Sequence, residues 1–282
     1  MPLPLIATDL DGTLLMTGSQ TLHPDAHDAV HQAISAGIPL VFATGRSPID
    51  ILPVAELVGH RWFAVCCDGT AIVDLRNDEV LATHPMLESD LRTIVGTIRD
   101  NFPAARFMID RVAVGIIDPE NHGLIIEEGF KAPWADALYG SERIETIELA
   151  LHEPNVVKLC MYLPTDLDHE QIFLEARDLV SPHSTVVRIN SDEIFLDLCK
   201  LGVSKATGVA EIAGFIGVHP EDVFAVGDLH NDYEMLDWAG FSFAVANAHP
   251  VIQDIADVVV PSNDDGGVAK VVAAAMRHLL EP

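Results

Sequence analysis

The sequence predicts an α/β protein in which a parallel sheet, covered by helices, is interrupted by an α+β insertion. Two observations predict it. At both ends of the chain, short and almost continuous apolar runs alternate with helical patterns, as expected of parallel strands buried on both faces. In the middle third the rhythm changes, and "FMIDRVAVGI" reads as a tight antiparallel hairpin, which a parallel sheet cannot contain without a crossover. The expected division is a core over 1–84, an insertion over 85–188 and a second part of the core over 189–282. A chain of 282 residues is long enough for one large domain or two modest ones.

In order, "LIATD" is the first strand, and "PDAHDAVHQAISAG" is an amphipathic helix with Pro24 near its start and Gly37 past its end. "IPLVFATG" is a buried strand, followed by a helix near 48–58 and the strand "WFAVCC". The insertion is expected to hold helices at "ESDLRTIVGTIRDNF" and "DLDHEQIFLEARDLV", with strands "ARFMID", "VAVGIID", "VVKLCMYL" and "STVVRI" around them. The α/β rhythm is then read as returning with "IFLDL", a helix over 204–216, "DVFAVGD", a helix after Asn231, "FSFAVA", "DVVV" and a last helix over about 267–280.

Composition narrows the function. Sixteen Lys and Arg stand against 43 Asp and Glu, a formal charge of −27. Sustained binding to nucleic acid or an anionic membrane draws on Lys and Arg, so neither partner is expected. A small anion is still admissible, because a local cation and a few backbone N–H groups outweigh a field screened over about 8 Å. No apolar run has the length of a membrane span. The N-terminus lacks a basic segment and cleavage site, so a cytoplasmic protein is expected. The four cysteines form no C-x-x-C pair and read as buried, structural thiols.

Four short stretches follow strands of the core, where open α/β sheets bind ligands. In Asp9-Leu10-Asp11-Gly12-Thr13, side chains two apart on an extended segment face the same way. One carboxylate can attack phosphorus while its neighbour protonates the leaving oxygen; a strand-end turn with two solvated carboxylates is the plainer reading. Thr44-Gly45-Arg46 offers a hydroxyl, a backbone N–H and a guanidinium to one anion. Lys205 opens a helix, where the ammonium and the positive helix end suit a phosphate. In "GDLHND", Asp228 ends a strand, and Asn231 and Asp232 open the next helix. Carboxylates are the hard ligands that Mg²⁺ prefers, and a cation between Asp9 and Asp228 would offset their repulsion. Capping the helix is the alternative use of these residues.

Together these stretches resemble the signature of the haloacid dehalogenase (HAD) superfamily: D-x-D-G-T, Thr-Gly, a lysine and G-D-x-x-N-D in this order. The insertion between Thr-Gly-Arg and the lysine resembles that of the Cof-type sugar-phosphate phosphatases. The resemblance implies a Rossmann-like HAD core with the insertion as an α+β cap. It also implies an Mg²⁺-dependent phosphatase acting on a small phosphorylated metabolite, such as a sugar phosphate, through an aspartyl-phosphate. Asp9 would be the nucleophile and a metal ligand, and Asp11 the general acid/base with its backbone carbonyl on the metal. Asp228 and Asp232 would complete the acidic metal set. Thr44, Gly45, Arg46, Lys205 and Asn231 would bind the phosphoryl group, Lys205 offsetting its charge.

The chain departs from the family at Asp68-Gly69, where relatives usually carry Asn-Gly. The alternatives are a sucrose- or mannosyl-phosphoglycerate-type phosphatase, a phosphomutase, and a non-catalytic sensor of phosphometabolites. His230 is read as a rim or solvated imidazole, and the other histidines as scattered and without zinc-binding spacing. Glu127 and Glu128 are read as a solvated face. Arg143, Lys158 and Arg188 are possible substrate contacts that the sequence cannot rank. Oligomeric state stays open.

Overall fold

The computed structural model describes residues 3–59, 62–118, 122–131, 141–164, 169–189 and 194–280. The chain divides into two compact units, Met1–Glu79 with Ser204–Pro282, and Val80–Val203.

The first unit opens with β1 (Leu5–Thr8), α1 (Pro24–Ser35), β2 (Leu40–Ala43), α2 (Pro48–Val58), β3 (Phe63–Cys66) and β4 (Ala71–Asp74). The strand β5 (Glu79–Thr83) carries the break between units. The second unit continues with α3 (Glu88–Asn101), β6 (Arg106–Val112), β7 (Gly115–Ile116), β8 (His122–Glu127), β9 (Glu142–Ile144) and β10 (Val156–Leu163). It closes with α4 (His169–Val180), β11 (Ser184–Ile189) and β12 (Ile194–Lys200). The chain then returns to the first unit through α5 (Lys205–Ile216), β13 (Val223–Gly227), α6 (Tyr233–Trp238) and β14 (Phe241–Val245). The last elements are α7 (Pro250–Ile255), β15 (Val258–Val260) and α8 (Val268–Leu280).

The first unit's strands run β15-β14-β13-β1-β2-β3-β4. All pair in parallel except β4, which turns back antiparallel on β3. Leu5, Ile6, Ala7 and Thr8 are all fully buried, as a central strand covered on both faces must be. The helices follow from their sequences. Pro24 starts α1 behind His23, whose side chain accepts from the Asp25 N–H, and Ala26, Ala29, Val30 and Ala33 form its buried stripe, the spacing of one helical face. That face packs on α8. Helix α5 lies against β3 because Gly208 has no side chain; a Cβ there would stand 2.5 Å from Val65 Cγ1. This close approach brings the first turn of α5 to the strand ends. Chain order reverses at β1, which has β2 on one side and β13 on the other, and such a switch point opens a crevice at the strands' carboxyl ends.

The second unit is built on a six-stranded sheet, β11-β12-β10-β6-β8-β9, antiparallel except for the β8–β9 pair. Leu91, Ile94, Val95 and Ile98 of α3 and Ile172, Ala176 and Val180 of α4 share a core with Phe107, Ile109, Leu159, Met161, Leu196 and Leu198. The alternate residues Met108, Cys160, Tyr162 and Phe195 make a separate cluster with Phe130, the period of two that a strand imposes.

Three sequence readings are corrected. The run "IFLDL" belongs to β12, which pairs antiparallel with β10 and β11 in the second unit. Phe195 through Cys199 are all buried, so the strand lacks the polar alternation that marks an antiparallel edge and reads as a parallel core strand. The expected hairpin in "FMIDRVAVGI" does not form as drawn; β6 takes β8 and β10 as antiparallel neighbours, while β7 lies beside β5. Glu127 is buried rather than solvated: it ion-pairs with Arg99 and accepts from the Phe107 N–H at 2.9 Å. Free cysteines Cys66, Cys67, Cys160 and Cys199 are all buried, as expected. Among the described residues no helix is long and apolar enough to cross a membrane.

Candidate active site

The candidate site forms where β1 and β13 end side by side. Asp9 follows β1 directly, its N–H donating to the Val226 carbonyl at 3.0 Å, and its side chain is buried. Asp228 follows β13 in the same way and is also buried. Gly12 lets the turn after Asp9 pass close to Asp228. Its φ is +86°, and a Cβ would fall 2.5 Å from Asp228 Oδ2, so both the backbone and the approach require glycine. Thr13 Oγ1 then donates to Asp228 Oδ1 at 2.9 Å.

Lys205 lies at the centre, buried and at the start of α5. Its Nζ donates to Asp9 Oδ1 and to Asp232 Oδ1, both at 2.7 Å. Asp232 is fully buried, and its other oxygen accepts from the N–H groups of Asp228 and Leu229, at 2.9 and 3.1 Å. It therefore holds Lys205 and the Asp228 loop together.

Asp9, Asp228 and Asp232 bring ligand oxygens within 4.8 Å of one another. One lysine does not balance three carboxylates. Burial, opposed by Lys205 and reinforced by Asp232 and Asp228, holds the Asp9 carboxyl well above its usual range. Burial and then Asp232 push Asp228 up to about 7. Burial works against the Lys205 ammonium, but Asp232 and Asp9 hold it above the ordinary lysine range. All three donors are hard oxygens, and the surplus negative charge is of the kind a divalent cation offsets. The donor set fits Mg²⁺.

Asp11 lies apart from that cluster. Its carboxylate is exposed and held in a fork by Arg46, whose Nε and a terminal nitrogen donate at 2.8 and 2.6 Å. The Asp11 hydrogen bond, against some burial, raises Arg46 above its ordinary value. Arg46 also donates to Gln20 Oε1 at 2.8 Å, and its N–H donates to Thr44 Oγ1 at 3.1 Å. Thr44 is buried. The Thr44-Gly45-Arg46 loop is tied to the loop after β3: Asp68 N–H donates to Thr44 O, and Cys67 N–H to Arg46 O. Cys67 and Asp68 are both left-handed, at φ +48° and +55°, a backbone costing about 1–3 kcal/mol per non-glycine residue. Asn231 donates to Asp68 Oδ1 at 2.9 Å, so the amide expected on phosphate is engaged by Asp68.

Sequence reasoning missed Asn247, which follows β14. Its Nδ2 donates to Gly12 O at 2.8 Å and its Oδ1 accepts from Asn263 N–H at 3.0 Å. The rule that singles out residues at strand carboxyl ends also covers this strand. His230 packs its ring on His249 at 4.2 Å between centroids. Lys158 ion-pairs with Asp197 at 2.9 Å within the second unit, and Arg143 lies on β9. The side chain of Arg188 is outside the described residues.

Residues 6–272 match the family model described as haloacid dehalogenase-like hydrolase. A 5-amino-6-(5-phospho-D-ribitylamino)uracil phosphatase of Bacillus subtilis is 25% identical over 274 residues, 97% of this chain and 94% of the relative. A pyridoxal phosphate phosphatase of Escherichia coli is 26% identical, covering 95% of this chain and 97% of the relative. A chloroplastic endoribonuclease of Arabidopsis thaliana is 27% identical, but the match spans only 45% of that longer protein. Among solved structures, a Bacteroides thetaiotaomicron phosphatase of the same superfamily gives a TM-score of 0.74 at 22% identity, over 98% of this chain and 96% of the other. A Streptococcus mutans protein gives 0.78 at 21%, over 98% and 99%.

Proposed function

We propose, from the premise that the chain belongs to the haloacid dehalogenase-like hydrolases, that it is a cytoplasmic phosphatase of small phosphorylated metabolites working through an aspartyl-phosphate. The observation that carries this reading is the buried Asp9–Lys205–Asp232 chain beside Asp228. It presents a carboxylate at a strand end, a fixed ammonium beside it and surplus acidic oxygens for a cation. Two relatives aligned over nearly their whole lengths are named as phosphatases of small phosphorylated compounds, which supports the substrate class.

Asp9, Asp228 and the Asp11 carbonyl would hold Mg²⁺, with Asp232 behind them. When bound, the metal supplies positive charge to the transferring phosphoryl oxygens. Asp9 attacks phosphorus, forming an acyl-phosphate as the ester P–O bond breaks. Asp11 gives a proton to the departing oxygen, then takes one from the water that attacks phosphorus and frees Asp9. Asp11 must leave Arg46 to do so, because both its oxygens are occupied there. Lys205 keeps the Asp9 carboxylate in position and offsets charge on the phosphoryl group, with the Thr44-Gly45-Arg46 loop contributing donors. The inserted unit, the cap of the same proposal, would choose the substrate.

The test is phosphate release from a broad panel of phosphorylated metabolites, with Mg²⁺ or EDTA, against Asp9→Asn. Turnover that needs Mg²⁺ and disappears in the variant is expected. Equal turnover by Asp9→Asn overturns the aspartyl-phosphate; a folded protein with no turnover of any compound favours the sensor.

A further inference from the structure

We infer that α1 carries a second metal site, for a borderline divalent transition metal such as Zn²⁺, formed by His27 and His31. The two residues stand at H-x-x-x-H spacing, contrary to the sequence reading that no such spacing exists. Residues four apart share one helix face, and both imidazoles are half-exposed on the surface of α1. The Nε2 atoms lie 3.1 Å apart, with ring centroids at 4.4 Å and planes inclined by 60°.

That separation is the bite of a chelate. With Zn–N bonds of about 2.0–2.1 Å, a span of 3.1 Å corresponds to an N–Zn–N angle of about 98°, between octahedral and tetrahedral values. Without metal, a neutral pair holds this geometry through one Nε2–H donating to the other Nε2. Metal binding exchanges that bond for two Nε2–metal bonds, and the displaced proton moves through solvent to Nδ1 of the same ring. Nδ1 of His27 faces Asp28 Oδ1 at 3.5 Å, so a carboxylate stands where it favours a proton on Nδ1 and leaves Nε2 to the metal.

The surroundings also favour a cation. Gly59, the left-handed residue that ends α2, packs on the His31 ring; a Cβ there would lie 3.3 Å from His31 Cε1. The carboxyl end of a helix carries negative partial charge. His23, one turn earlier, does not join the pair, because its Nδ1 accepts from Asp25 N–H at 3.2 Å. Water or a ligand from outside the chain fills the remaining positions. Nothing in this site touches the carboxylate cluster, so it stands whether or not the phosphatase proposal does.

The experiment is calorimetric titration of the full chain with Zn²⁺ in excess Mg²⁺, which occupies the carboxylate cluster. Wild type, His27→Ala and His31→Ala are compared, with imidazole ring protons followed by NMR. Alanine is the better helix former, so the variants keep α1. Expected is a site whose affinity drops at least about tenfold in either variant, with the two imidazole spin systems broadened or shifted together. Phosphate release measured with Mg²⁺ alone stays at the wild-type level. Unchanged Zn²⁺ binding in both variants, or Zn²⁺ perturbing other histidines instead, overturns the site.

Discussion

Each unit buries a lysine, and the two are used differently. Lys158 meets Asp197 at 2.9 Å between neighbouring strands in the middle of a sheet. Lys205 meets two carboxylates at 2.7 Å at the ends of strands, with Asp228 and Asp68 adding further negative charge nearby. Lys158 also stands opposite the buried Asp110 of β6, so two carboxylates lie beside it in mid-sheet. The strand-end cluster has a third carboxylate in Asp228, and burial and that crowding hold Asp9 and Asp228 above their usual ranges. Position at the strand ends and a third carboxylate, rather than burial of a charge as such, distinguish the candidate active site from the mid-sheet group.

The largest expected effect breaks the strand-end cluster outright. Asp9→Asn should lower phosphate release by about 10⁶-fold, the scale seen when a nucleophile is removed, while leaving the fold intact by circular dichroism. Next is a matched pair of double variants that tests the comparison itself. Lys158→Met with Asp197→Leu removes one buried ion pair but leaves Asp110 opposite it on β6, so it should cost less in urea than Lys158→Met alone, for which about 3–5 kcal/mol is expected. Lys205→Met with Asp232→Leu should abolish turnover whatever its stability. If the second double variant still turns over substrate, the distinction between the two lysines fails.

A smaller effect is expected at Asp68, whose charge raises Lys205 and whose oxygen holds Asn231. Asp68→Asn keeps an acceptor for Asn231 but removes a negative charge from the phosphoryl site. KM for anionic substrates should fall, by less than tenfold, or about 1.4 kcal/mol, with kcat little changed. An increase in KM would show that Asp68 contacts substrate as a carboxylate.

The smallest effect belongs to the second unit. Burial raises the Glu148 carboxyl, but hydrogen bonds from Arg99 and Thr146 outweigh it and lower the group from 4.5 to about 2. A depressed carboxyl stabilises the fold fully above its unfolded value and loses that contribution as pH falls, here between about 4.5 and 2. The group is 43% exposed, so solvent screening keeps the effect modest. Glu148→Gln should flatten the acid limb of the melting temperature over that window, and an unchanged limb would count against the pair.

Much of this is legible in the sequence alone. Periodicity marked α1, α2, α3, α5 and α8 to within a few residues, and the HAD resemblance held over nearly the whole chain. Strand-end position drew attention to Asp9 and Asp228 because a turn after a buried strand needs no charge for its own sake. Glu127 and His27–His31 were misread for opposite reasons. Glu127 lies in a run whose burial depends on Arg99, 28 residues earlier, whereas the histidine spacing was present in the sequence and passed over.

What the sequence determined by itself was local: the alternation of strands and helices, the turns that need glycine, and the acidic residues left at strand ends. Those follow from steric preference and from apolar spacing, which act over a few residues. Only the tertiary structure decided which charges meet. Lys205 reaches Asp9 across 196 residues, and Thr13 reaches Asp228 across 215. It also decided that β12 joins the antiparallel sheet. Long-range pairing depends on which partner satisfies a buried group at the least cost, and no local pattern records that choice.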